Sequence, residues 1–513
     1  DAYEGTMPQT RFVLKKALEQ NLKPVFVVNK IDKPSARPEG VVDEVLDLFI
    51  ELEANDEQLE FPVVYASAVN GTASLDPEKQ DDNLQSLYET IIDYVPAPID
   101  NSDEPLQFQV ALLDYNDYVG RIGIGRVFRG KMRVGDNVSL IKLDGTVKNF
   151  RVTKIFGYFG LKRLEIEEAQ AGDLIAVSGM EDINVGETVT PHDHQEALPV
   201  LRIDEPTLEM TFKVNNSPFA GREGDFVTAR QIQERLNQQL ETDVSLKVSN
   251  TDSPDTWVVA GRGELHLSIL IENMRREGYE LQVSKPQVII KEIDGVMCEP
   301  FERVQCEVPQ ENAGAVIESL GARKGEMVDM TTTDNGLTRL IFNVPARGMI
   351  GYTTEFMSMT RGYGIINHTF EEFRQRIKAQ IGGRRNGALI SMDQGSASTY
   401  AILGLEDRGV NFMEPGTEVY EGMIVGEHNR ENDLTVNITK TKHQTNVRSA
   451  TKDQTQTMNR PRILTLEEAL QFINDDELVE VTPESIRLRK KILNKNVREK
   501  EAKRIKQMMQ ENE

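Results

Sequence analysis

At 513 residues the chain is too long for one hydrophobic core, and several domains are expected. A content of 39% hydrophobic and 28% charged residues excludes wholesale disorder, and a net charge of −24 argues against a general nucleic-acid coat protein. Two cysteines, Cys298 and Cys306, exclude a disulfide scaffold or a cysteine-rich zinc site, and without any run of 18 apolar residues no membrane span is expected, so a reducing, cytoplasmic setting is the expectation.

Residues 1–97 read as α/β. Pro24–Val28 and Phe61–Ala66 are short continuous apolar runs, as in buried parallel strands. Between them Val41, Val45, Leu48 and Leu52 recur at helical spacing, and Leu84–Tyr94 is a second helix candidate. The first hundred residues carry 20 acids and 8 bases. Pro96-Ala97-Pro98 marks a linker. Residues 103–198 alternate in short strands separated by Val134-Gly135-Asp136, Leu143-Asp144-Gly145, Ala171-Gly172-Asp173 and Val185-Gly186-Glu187, the pattern of a small β-barrel.

Residues 203–290 follow a β-α-β-β-α-β order: a strand over Leu208–Val214, a helix with Ile232, Leu236 and Leu240, a strand at Trp257–Ala260, a helix from Glu264 stopped by Gly278, and a strand at Glu280–Val283. Residues 297–382 repeat the plan, with Glu299-Pro300 echoing Glu205-Pro206. Two ferredoxin-like modules are expected. Residues 383–513 form a β-rich C-terminal domain with a short helix at Leu466–Ile473. From Pro483 onward the chain is charged and reads as a helical tail whose last dozen residues fray.

Asn29-Lys30-Ile31-Asp32 ends the first apolar strand and Ser67-Ala68 ends the second. Ligands of open α/β sheets sit beyond the carboxyl ends of strands. An Asp placed there accepts two hydrogen bonds from a guanine edge, the Asn braces the loop, the Lys stem covers the base, and a backbone N–H beside Ala68 reaches the guanine carbonyl. The pairing of the two motifs at strand ends is what makes guanine binding specific. Gly125-Arg126-Val127-Phe128-Arg129-Gly130-Lys131 imitates a phosphate loop, but Met132 stands where a Ser or Thr would bind Mg²⁺ and the string lies among alternating strands. It is rejected. His266, in Gly261-Arg262-Gly263-Glu264-Leu265-His266-Leu267, reads as packing at a helix start, and His192 and His194 lack a third metal ligand. No metal site and no catalytic residue is assigned.

Between Leu434 and Thr465 six bases (Lys440, Lys442, Arg448, Lys452, Arg460, Arg462) face one acid, Asp453, with His443 among them. Basic side chains position phosphates. Lys440, Lys442, His443, Arg448 and Lys452, with Arg384 and Arg385, are the candidate RNA contacts; a solvated loop is the alternative.

Taken together these motifs resemble a translational GTPase of the elongation factor G superfamily. GRGELHL at 261–267 resembles its third domain, and EPFERVQCEVP at 299–309 its fifth. SPFAGREG at 217–224, GMIGYTTEF at 348–356, RGVNFMEPGTEVYEGMIVGEH at 408–428 and DDELVEVTPESIRLRKK at 475–491 resemble the TypA/BipA family. The resemblance implies a partial P-loop-type GTP domain, GTP/GDP as ligand, and a ribosome-bound monomer. Its implied partners are the large subunit near the A-site region, rRNA and tRNA, and its implied roles are large-subunit assembly and growth under stress or low temperature. It also implies that the phosphate loop, the switches, the catalytic His and the Mg²⁺ ligands precede Asp1. On that reading this chain alone does not hydrolyse GTP, and the rival function is a non-catalytic ribosome- or rRNA-binding module.

Overall fold

The computed structural model describes the chain except Met7, Glu53, Pro98, Asp117, Leu161, Glu181, 202–204, 333–336, Gln380, 442–457 and 512–513. It divides into two compact units: residues 1–104 with two short stretches at 128–131 and 170–172, and the rest.

In the first unit, helix α1 (Pro8–Glu19) precedes strand β1 (Phe26–Asn29), helix α2 (Pro38–Glu51), strand β2 (Val63–Ser67), strand β3 (Thr72–Ser74) and helix α3 (Gln85–Tyr94). β1 and β2 pair in parallel from Phe26↔Val63 to Asn29↔Ala66. A parallel pair needs a crossover, and α2 supplies it. Pro38 opens that helix where its missing N–H costs nothing, and Val41, Val45, Leu48 and Phe49 are its buried residues. Both apolar runs thus end at neighbouring points on one sheet edge.

Residues 107–190, most of them in the second unit, include an eight-stranded sheet. Strands across the whole sheet converge on one core, including Phe108, Val138, Ile155, Ile175 and Val189, the packing of a rolled sheet. Gly125 lies within a strand here, and a Cβ on it would meet the Gln109 carbonyl oxygen at 1.8 Å. That glycine serves close strand approach rather than a phosphate.

Next come β4 (Leu208–Val214), α4 (Ala229–Thr242), β5 (Lys247–Asn250), β6 (Thr256–Gly261), α5 (Glu264–Arg276) and β7 (Leu281–Val283). The order is the β-α-β-β-α-β expected, and the strands lie as β5-β6-β4-β7. Thr228 and Gln231 cap α4 reciprocally. The following segment repeats the arrangement with β8 (Val296–Pro309), α6 (Gln310–Ala322), β9 (Glu326–Thr332), β10 (Leu337–Pro345), α7 (Tyr352–Met359) and β11 (Ile365–Gln375), ordered β9-β10-β8-β11. Cys298 and Cys306 both lie buried on β8, and burial pushes the Cys306 thiol up to about 12.

The C-terminal segment contributes β12 (Ala388–Ser391), β13 (Met423–His428), β14 (Leu434–Val436), α8 (Leu466–Phe472), β15 (Glu477–Val481), β16 (Ile486–Lys490) and α9 (Lys495–Glu511). Its sheet is not separate. β7 pairs antiparallel with β15, Leu281↔Val481 to Val283↔Val479, so one sheet runs β5-β6-β4-β7-β15-β16-β13-β12-β14. Phe212, Trp257, Leu281 and Ile271 share a single core with Ile424, Leu470, Val479 and Leu488.

One expectation fails here. Ile486–Lys490, expected within the charged helical tail, is a strand hydrogen-bonded on both sides. Two of its basic residues, Arg487 and Lys490, are met by carboxylates, while Arg489 donates to Asn216 Oδ1 and to the Lys490 and Lys491 carbonyls. Arg487 pairs with Glu223 and, at 3.1 Å, with Glu480; Lys490 meets Asp433, Asp476 and Glu477 within 2.8 Å. Only the last segment, α9, is helical.

Candidate functional site

The parallel register of β1 and β2 brings Asn29-Lys30-Ile31-Asp32 beside Ser67-Ala68. Asn29 Oδ1 accepts from its neighbour's Lys30 N–H at 2.8 Å and from the Ala68 N–H at 3.0 Å. Ser67, almost fully buried, donates through Oγ to Asp32 Oδ1 at 2.6 Å. Two bonds therefore cross between loops far apart in sequence. Asp32 itself is exposed, with its carboxylate fixed by one oxygen at the sheet edge.

Lys30 has φ +66, the left-handed region that a residue with a Cβ enters at a cost of about 1–2 kcal/mol. The surrounding bonds hold it there. Its N–H goes to Asn29, its carbonyl accepts from the Lys33 N–H at 3.2 Å, and its Nζ lies 2.6 Å from Asp1 Oδ2. Lys33 reaches the same carboxylate at 3.6 Å, and the Ala2 N–H donates to the Asn29 carbonyl at 2.8 Å. Sequence reasoning missed these supports, because nothing local links residues 1–2 to residues 29–33.

Asn29, Lys30, Asp32, Ser67 and Ala68 are thus brought together at the carboxyl ends of neighbouring parallel strands. The Ala68 N–H itself donates to Asn29 Oδ1. The residues fit a purine carrying adjacent N–H donors: an exposed carboxylate to accept them and a lysine stem beside it. Among the described residues no group of three His, Cys, Asp or Glu stands together as a metal site.

The basic candidates fare differently. Lys440 is exposed, and its carbonyl accepts from Ser398 Oγ. Arg385 is exposed. Lys442, His443, Arg448 and Lys452 lie outside the described residues. Arg384 is corrected: its side chain is 5% exposed, gripped by Glu477 at 2.9 and 3.0 Å, bonded through Nε to the Asn386 carbonyl, and set over the Phe472 ring. It holds the fold together and is not presented to a phosphate. His266 bonds Asp243 through Nε2 at 2.6 Å and accepts the Arg262 N–H through Nδ1, the packing role expected of it. His192 Nδ1 meets Ser139 Oγ at 2.6 Å, and His194 Nε2 lies 3.3 Å from Glu196.

Five family models match the chain in succession: "Elongation factor Tu GTP binding domain" at residues 1–97, "Elongation factor Tu domain 2" at 120–190, "Elongation Factor G, domain III" at 227–285, "Elongation factor G C-terminus" at 296–380 and "TypA/BipA C-terminal domain" at 386–495. The chain is 75% identical over 506 residues to the Bacillus subtilis (strain 168) protein named "Large ribosomal subunit assembly factor BipA", covering 99% of this chain and 83% of that one. Proteins of the same name from Synechocystis and Escherichia coli K12 are 52% and 51% identical, each over 82% of its length. No helix among the described residues is long and apolar enough to cross a membrane. With identity this high across nearly its whole length, and with that C-terminal domain, the chain belongs to the TypA/BipA family of translational GTPases.

Proposed function

We propose that the protein binds GTP and GDP through the β1 and β2 strand ends and works as a cytoplasmic ribosome-binding GTPase in assembly of the large ribosomal subunit, including under stress or cold. The observation that carries this reading is the braced pair of loops, with Asp32 exposed at the edge where α/β sheets bind ligands. Asp32 accepts the two N–H donors of guanine, the Lys30 stem lies over the base, and Asn29 keeps the two loops in register. Mg²⁺, when bound to the triphosphate, supplies charge neutralisation for phosphoryl transfer. The described residues contribute base selection and orientation. The names of the relatives support the ribosomal partner, and the locally basic stretch from Lys440 to Lys452 supports contact with rRNA and with tRNA near the A site.

Replacing Asp32 with Asn exchanges an acceptor for a donor at the guanine edge. Competition binding of the full-length protein is expected to move toward xanthine nucleotides, and an unchanged guanine preference overturns the assignment. Reversing the charge of Lys440, Lys442 and Arg448 together is expected to weaken ribosome co-sedimentation and flatten its salt dependence. If sedimentation is unaltered, the stretch is only a solvated loop.

A further inference from the structure

A cavity of about 490 Å³ opens where three segments meet: the stretch after β7 (285–290), the β8–β11 module, and the C-terminal segment around α8. Its walls carry Lys285, Arg323, Arg347, Arg376, Arg384 and Arg462 against two acids, Glu468 and Asp475, in a chain of net charge −24.

These cations are not equivalent. Arg347 is saturated by Glu299 at 2.6 and 3.1 Å and by the Ile377 and Ala379 carbonyls. Arg384 is held by Glu477, and Arg323 by Glu355 and the Gly348 carbonyl. Arg462 leans on Glu468 at 3.4 Å. Those four shape the wall but are internally compensated. Lys285 and Arg376 have no ion-pair partner among the described residues, and Lys285 is half-buried. An amine drawn partly out of water without a counter-charge is costly. Gly382 and Gly383 turn beside it at φ +66 and +94. Thr354 and Gln471 add polar groups, and Ile350 and Phe472 an apolar wall.

We propose that this cavity binds a small phosphorylated ligand bearing at least two negative charges, with Lys285 and Arg376 as its charge partners. Size favours a compact phosphate over a nucleic-acid backbone, because the lysine is recessed among three segments. Occupancy would tie the β8–β11 module to the long shared sheet, since the two free cations come from opposite sides of that junction.

Calorimetric titration of the full chain with inorganic tripolyphosphate tests this, alongside a Lys285→Met/Arg376→Gln double variant that keeps the lysine stem. The expected result is saturable binding by the parent, at least tenfold weaker in the double variant, and partly restored in Lys285→Arg/Arg376→Gln. Circular dichroism melting confirms that each variant is folded; should the double variant not fold, Arg376→Gln alone, at an exposed position, must still weaken binding. Equal affinity in parent and variant, or no saturable binding by the parent, overturns the proposal. So does a parent that ignores tripolyphosphate while the double variant loses co-sedimentation with large ribosomal subunits, which would assign the two cations to RNA.

Discussion

The Ala68 N–H donates to Asn29 Oδ1 at 3.0 Å, joining two loops separated by 39 residues. The same oxygen receives the Lys30 N–H, so one side chain sets the spacing of both halves of the base site. Asn29→Ala removes both hydrogen bonds at once and touches little of the core. Nucleotide affinity of the full-length protein should fall at least tenfold while its melting temperature moves little. A variant that binds fluorescent GDP as tightly as the parent would show that the loops hold themselves apart without it.

Lys30 makes a second, opposite test. Its left-handed backbone costs about 1–2 kcal/mol, which glycine does not incur. Lys30→Gly also gives up the ion pair of its half-exposed amine to Asp1, but Lys33 still faces that carboxylate, so the loss is about 0–1 kcal/mol. Chemical denaturation should find the variant as stable as the parent or slightly more so, while nucleotide titration finds it weaker. Stability and binding moving in opposite directions is the signature of strain kept for a ligand.

Two histidine–carboxylate hydrogen bonds give stability opposite dependences on pH. Burial alone would raise the Asp243 carboxyl, but hydrogen bonds from His266 and Ser245 outweigh it and hold it at about 2. A carboxylate depressed in the folded state stabilises above its unfolded value near 3.8, and that contribution fades as pH falls toward about 2. Allowing for solvent, it is worth about 1–2 kcal/mol. His368 is raised by its 2.6 Å bond to Glu302, against the opposing effect of burial and with help from Glu264. Its contribution is complete below about 6.5 and is lost as pH climbs through the folded value. Urea denaturation across pH should show Asp243→Asn flattening the acid limb and His368→Gln flattening the neutral limb.

Glu477 is fully buried between Arg384, 5% exposed, and Lys490, 3% exposed. Glu477→Gln leaves two cations sealed in with too little counter-charge, and a loss of about 3–5 kcal/mol is expected. Thermal unfolding should show a large drop for this variant. Asp476→Asn, whose carboxylate is 66% exposed beside the same lysine, should cost under about 1 kcal/mol.

Legibility in the sequence followed the range of the forces involved. Leu208–Val214 was read with its observed ends, because alternation and flanking turns are local signals. The two strand-end motifs were read because apolar runs announce buried parallel strands, and register then does the rest. The strand at Ile486–Lys490 is hidden in the sequence because Arg487 and Lys490 look solvated, and only Glu480 and Glu477, recruited across the sheet, make their burial possible. Arg384 was misread for the same reason, its carboxylate lying 93 residues away. The hold of Asp1 on Lys30 and Lys33 had no local trace at all.

The pairing of β7 with β15 has a practical consequence for anyone cutting this protein into pieces. The family boundaries at 285 and 386 look like natural scissor points. Expressing residues 386–495 alone would leave β15 with a bare row of N–H and C=O groups, and the other fragment would present β7 in the same state. Each naked edge is a template for another chain, so the isolated pieces should clump where the joined protein stays dispersed. The two segments are better handled as one inseparable body.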